Sequence, residues 1–216
     1  MHGNFGVIEH WRYRFLLTIL LTTILVQPLL QRSVLGQAVL ILAYGVVLVG
    51  GVYATRPQRW QSTLCSALAI ALVGLNWWIL LSGQHEVGLA LIVVTFLFGA
   101  FAVSRTLIVL ISAPAANADA LAGAVFGYFI LVIVWALFFR ALEIWSPGAF
   151  ALAADSDQFT ELLYFSLVTI TTLGYGDIAP VAAFARISAG LEAGMGTLYI
   201  AILIARIVGA IGDRRG

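Results

Sequence analysis

The chain has no lysine, so all 11 of its basic residues are arginine, and only 10% of its 216 residues are charged. A net charge of +1 without a basic cluster leaves no electrostatic footprint for nucleic acid. Cys65 is the one cysteine and sits inside an apolar run, which excludes an intrachain disulfide framework and makes packing its expected role. His2, His10 and His85 lie near the chain start or in a short loop, without catalytic or metal-ligand spacing, so an enzyme is not expected. What the chain does have is apolar sequence: 62% of residues are hydrophobic and the mean hydropathy is +1.04. Such a composition lies well outside that of soluble domains and implies surroundings of membrane lipid.

Runs long enough to cross a bilayer, about 20 residues each, succeed one another along the chain. The first, Tyr13 to Leu30, follows Arg12 and Arg14. Basic residues before an apolar core also fit a cleaved signal peptide, but the run exceeds a typical signal core and no small-x-small cleavage site directly follows it. A retained helix is expected. The second run, Val34 to Thr55, ends in a tight loop at Arg56-Pro57-Gln58-Arg59. The third, Ser62 to Leu81, carries Trp77 and Trp78 near its end, where they suit the membrane interface. The fourth, Val87 to Ile111, holds a single charge, Arg105, and gives way to small residues. The fifth, Leu121 to Trp145, has Arg140 and Glu143 near its far end.

An acidic stretch with Asp155 and Asp157 then leads into a short helix, Gln158 to Thr171, with Asp157 as its N-cap and Glu161 in its first turn. At roughly 14 residues it is too short to span and reads as re-entrant. A last apolar run extends from Val181 to Gly209. The expected fold is therefore an all-α polytopic membrane protein with six transmembrane helices and a re-entrant helix. Its expected parts are a four-helix membrane domain (1–112), a linker (113–120), a second membrane domain (121–209) and a short tail (210–216). With a cytoplasmic N-terminus and six crossings, Arg12, Arg14, Arg56, Arg59, Arg105, Arg206, Arg214 and Arg215 lie inside. Only Arg32, Arg140 and Arg186 fall outside, as the positive-inside rule favours. Both termini are then cytoplasmic, in a cell membrane of the prokaryotic inner-membrane kind.

Between the last two segments stands Thr171-Thr172-Leu173-Gly174-Tyr175-Gly176-Asp177. By itself Gly-Tyr-Gly-Asp reads as a surface turn. Its flanks argue otherwise, because non-helical backbone at membrane depth is tolerated only where protein buries it or it lines a watery path. The two glycines can hold backbone conformations closed to other residues, so that consecutive carbonyls point one way.

This string resembles the signature of tetrameric potassium channels, and the order of outer helix, acidic stretch, pore helix, filter and inner helix resembles their pore module. The resemblance implies a homotetramer with rings of oxygen from Thr172, Leu173, Gly174, Tyr175 and Gly176. Potassium would be the permeant ion, held at Thr172, Leu173, Gly174 and Tyr175, with no cofactor. Tyr175 matches the potassium-selective pattern, and Leu173 replaces the more frequent valine while keeping its carbonyl. In the family, an aspartate placed like Asp177 is tied to the pore helix, and Tyr164 occupies the place of an aromatic donor. Val168 stands where some relatives carry an acid, so closure of the filter through an acid pair is not implied here.

Glu192 lies in the inner helix, where an ionised group costs roughly 2.5–3.5 kcal/mol unless partnered. It supports the filter either by simply bonding hydroxyls behind it, Thr169 or Ser166, or as a proton-sensitive prop. Gly196 matches the family's hinge glycine and serves either a hinge or close packing, as Gly190 and Gly194 also can. Thr197, Ile200, Ile204 and Val208 recur at helical spacing and are expected to line the pore. Four helices before a pore resemble the voltage-gated architecture, but a sensor needs several arginines at every third position and this chain has Arg105 alone. Weak or absent voltage dependence is expected, and the few residues after Gly209 leave no fused ligand-binding domain. The alternatives are the membrane subunit of a potassium uptake transporter, a non-selective cation channel, or a non-conducting scaffold.

Overall fold

The computed structural model describes residues 12–54, 93–101, 118–152 and 157–212, with isolated helical positions between 63 and 108. Its helices are α1 (Arg12–Leu30), α2 (Val34–Ala54), α3 (Ala118–Trp145), α4 (Gln158–Ile170) and α5 (Ala183–Gly212). Among the described residues, α1, α2, α3 and α5 each contain a stretch long and apolar enough to cross a membrane, and α4, at 13 residues, does not. The third and fourth apolar runs, Cys65 and Arg105 lie outside the described residues, apart from the isolated positions and residues 93–101, which are helical.

Two boundaries differ from the sequence expectation by three residues, and the other described helix ends by fewer. α3 begins at Ala118, inside the expected linker 113–120. Asp119 explains the earlier start: an acid in the first turn suits the positive end of the helix dipole. Its carboxylate also accepts the Tyr13 N–H at 3.2 Å. α5 runs on to Gly212 rather than ending at Gly209, because Ala210 and Ile211 continue the helix and Gly209 costs it only about 1 kcal/mol.

The chain forms two compact units, residues 1–83 with 101–129, and 84–100 with 130–216. The division runs through α3, whose start packs with α1 and α2. In this first unit, α1 and α2 form a helical hairpin. Ser33 caps α2 by accepting the Gly36 N–H on its hydroxyl at 3.0 Å. Gly36 is required there, since a Cβ would lie 1.9 Å from the Leu30 carbonyl oxygen. Buried Gln27 accepts the Tyr44 hydroxyl, which satisfies two polar side chains between the helices. The N-terminal half of α3 brings the Phe126 ring to 6.2 Å from that of Tyr13.

The second unit is built around aromatic rings. Phe139 of α3, Phe150 of the following loop and Phe165 of α4 form a triangle with centroid separations of 5.2, 5.2 and 5.3 Å, all near edge-to-face. Such pairs add about 0.5–1.5 kcal/mol each beyond the area they bury. Leu142, Leu162, Ile178, Ala185 and Ala189 complete this core, so α3, α4, α5 and the residues after 177 share it.

Candidate functional site

The segment 172–177 is held from below by α4. Asp157 caps the helix, accepting the Thr160 N–H at 3.0 Å and its hydroxyl at 2.8 Å, and Glu161 sits in the first turn. Thr171 is the C-cap, with φ −82°. The helix's last carbonyls then take the N–H groups of the following residues. Thr172 donates to Thr169 at 2.9 Å, while Leu173 and Gly174 donate to Val168 at 2.9 and 3.3 Å.

Backbone torsions alternate along the same stretch. Thr172, Gly174 and Gly176 have φ of +58°, +58° and +80°, and Leu173 and Tyr175 between them do not. Alternation of this kind turns successive carbonyls toward the same side of an extended backbone, where a uniform strand would point them alternately to either side. Among the described residues, Thr172 is the one non-glycine with positive φ. That conformation costs of order 1–3 kcal/mol, and such strain clusters at functional sites. With the N–H groups of 172–174 turned toward α4, the carbonyls of 172–176 accept no backbone hydrogen bond from a described residue. The Thr172 hydroxyl donates to the Thr171 carbonyl at 2.7 Å, at the start of the row. Leu173 and Tyr175 side chains are 56% and 68% exposed.

At the C-terminal end of the segment, the Tyr164 hydroxyl donates to the Asp177 carboxylate at 2.7 Å. That bond holds the Asp177 carboxyl below the usual carboxylate range, and it pushes the Tyr164 hydroxyl up to about 12, assisted by desolvation. The residues that follow are laced to the loop after α3. Ala151 donates to Ala179 at 2.9 Å, Val181 and Ala182 donate to Ala149 at 2.8 and 3.2 Å, and Phe150 pairs with Pro180 in an antiparallel bridge. Glu143 organises that loop. Its carboxylate is buried and accepts the Gly148 N–H at 2.7 Å and the Phe150 N–H at 3.0 Å, across a turn that needs φ +83° at Gly148. The sequence shows Glu143 only as a charge near a helix end; the Gly148 turn two residues beyond Ser146 was the available signal for its role.

Behind the segment, Glu192 is fully buried and lies 2.5 Å from the Ser166 hydroxyl. Of the two hydroxyls the sequence leaves open, Ser166 is the partner, and it also contacts the Val132 carbonyl of α3 at 2.9 Å. Gly196 lies where α5 crosses the end of α4. A Cβ there would be 2.2 Å from the Ile170 carbonyl oxygen, and α5 continues unbroken through it, so the close-packing role has a contact to support it. Gly190 and Gly194 have nothing within 4 Å of a Cβ position in this chain. Thr197, Ile200 and Ile204 are exposed on α5, and nothing is described for the side chain of Val208.

Comparison with known families agrees with this geometry in kind. Residues 127–212 match the family model described as ion channel. The ion channel match begins in α3 and ends with the last residue of α5, so it contains α4, the 172–177 segment and every contact just described. It points to a transport protein of the membrane rather than an enzyme. No curated protein and no solved structure matches the chain.

Proposed function

We propose that four copies of this chain form a potassium-selective channel that conducts K⁺ passively, with weak or absent voltage dependence. The observation that carries the reading is the alternating backbone at Thr172, Gly174 and Gly176, combined with N–H groups bonded back into α4. Such a row leaves carbonyl oxygens of Thr172, Leu173, Gly174, Tyr175 and Gly176 free to replace an ion's water. In this role α4 is the pore helix and 172–176 the selectivity filter. Its C-terminal end carries the negative end of the helix dipole, which favours a cation that is shedding water.

The tetramer is what the resemblance to potassium channels implies. One chain supplies one row of oxygens, and a closed ring of copies around an axis would surround an ion. Exposed Leu173 and Tyr175, and the uncovered face of α5 bearing Leu191, Leu198 and Ile202, fit burial by neighbouring copies. Thr197, Ile200, Ile204 and Val208 would line the inner cavity. Asp177 and Tyr164 brace the filter's outer end. Gly196 lets the inner helix approach the pore helix, whether or not it also bends during gating. The membrane is a cell membrane, with both termini on the cytoplasmic side.

Reconstitution in a planar bilayer, with K⁺ on one side and Na⁺ on the other, tests the proposal. A reversal potential displaced far toward the K⁺ equilibrium value is expected. A value near zero would indicate a non-selective cation channel, and no current would return the scaffold reading.

A further inference from the structure

The contacts of Glu192 contain more oxygen than proton. Its Oε1 lies 2.5 Å from the Ser166 Oγ, and that same Oγ lies 2.9 Å from the Val132 carbonyl oxygen. Both separations lie within hydrogen-bonding range for two oxygens, and each such bond needs a proton between its oxygens. A carbonyl has none, and a serine hydroxyl has one. If Ser166 gave its proton to an ionised Glu192, the Ser166 and Val132 oxygens would face each other bare. If Ser166 donates to Val132, the second proton has to come from Glu192. The other Glu192 oxygen is buried with no hydrogen-bond partner, so an ionised carboxylate would hold its charge there on one neutral hydroxyl. Among the described side chains, the other charged and titratable groups of the surrounding helices are Asp119, Tyr128, Arg140 and Glu143 on α3, Glu161 and Tyr164 on α4, and Arg186 and Tyr199 on α5. None of them bonds to Glu192.

We infer that Glu192 is an uncharged carboxylic acid whose proton ties the inner helix to Ser166, and that through this bond it positions the filter. The inference deepens the channel reading and rests on it. Glu192 donates to Ser166, and Ser166 donates to the Val132 carbonyl, so one relay joins α5, α4 and α3. Ser166 and Ile170 are one turn apart on α4, as Glu192 and Gly196 are on α5. The relay and the Gly196–Ile170 approach are therefore two adjacent rungs between the same helices. Val168, between Ser166 and Ile170, supplies the carbonyl that holds Leu173 and Gly174. A shift of α4 at Ser166 is carried directly to the filter backbone. Glu192 touches no ion and is a positioning residue.

Two measurements on the full-length protein in lipid test this. An infrared difference spectrum between wild type and Glu192→Gln at neutral pH is expected to lose the C=O stretch of one protonated carboxylic acid. Loss of carboxylate bands instead overturns the uncharged state. In bi-ionic recordings, Glu192→Gln keeps an N–H donor for Ser166 and should retain the K⁺ over Na⁺ permeability ratio within about twofold. Glu192→Leu and the milder Ser166→Ala break the relay and should lower that ratio about tenfold, the effect of one lost buried hydrogen bond and its stranded partner. Wild-type selectivity in both broken variants overturns the positioning role alone. A wild type that does not discriminate K⁺ from Na⁺ fells the potassium-selective reading and this role with it, while the infrared result still decides the state of Glu192.

Discussion

The two units spend their buried polar groups differently. In the first, the described ones are Thr23, which bonds within its own helix, and Gln27, which takes Tyr44 across a helical hairpin. These contacts satisfy atoms locally. In the second, the buried polar residues include two acids, Glu143 and Glu192, together with Ser166 and Ser188. Each acid is tied to an element that holds the residues around the 172–177 segment: Glu143 to the loop laced to 179–182, and Glu192 to the helix whose carbonyls hold 172–174. Acids are expensive in a chain with so few charges. Their concentration behind one short segment marks where backbone position has to be held.

Glycine sharpens the same contrast and yields the largest expected effect. Gly36 in the first unit and Gly196 in the second both sit where a Cβ would strike a backbone carbonyl, at 1.9 and 2.2 Å respectively. Alanine at either position should therefore destabilise the protein by about 1–3 kcal/mol, the usual cost of overpacking. Under the proposed function only Gly196→Ala should also change ion selectivity, because only its neighbour, Ile170, ends the helix that holds the 172–177 segment. Thermal melts of both variants in detergent, paired with bi-ionic recordings, check this. Equal loss of selectivity in Gly36→Ala would erase the distinction between the units.

A smaller effect is expected at Tyr164. Asp177 is held below its usual range, so its contribution is present above that range and is lost as pH falls through the depressed value. Tyr164 is raised to about 12, so its contribution is present below the usual tyrosine range and is lost as pH rises through that value. Current through the wild type should accordingly be insensitive to this pair across neutral pH. Tyr164→Phe should shift the acid limb of the current–pH curve upward toward the ordinary carboxylate range. An unmoved acid limb would show that the pair does not brace the conducting state.

How much of this was legible in the sequence depended on whether a feature is local. Apolar runs give α1, α2, α3 and α5 to within a few residues at most ends, because a bilayer demands length and apolarity from each helix alone. α4 is legible through its shortness and the Asp157 cap, both short-range properties. Positive φ at Gly174 and Gly176 accords with residue type, whereas Thr172 adopts it against its own preference, and no local rule announces that. Ser166 rather than Thr169 faces Glu192 because of how α4 is rotated against α5, a packing outcome that three residues of spacing do not reveal. Glu143 reads as an ordinary helix-end charge until the Gly148 turn folds two N–H groups back onto it. The close approach at Gly196 depends on which element it meets.

If alternating torsions present the carbonyls of Thr172 to Tyr175 to an ion on a shared axis, anomalous scattering from the purified assembly with K⁺ replaced by Rb⁺ or Tl⁺ should show a column of peaks on a fourfold axis, each between rings of these carbonyl oxygens. A fourfold assembly with the 172–176 backbone ordered and no ion density along its axis would contradict it.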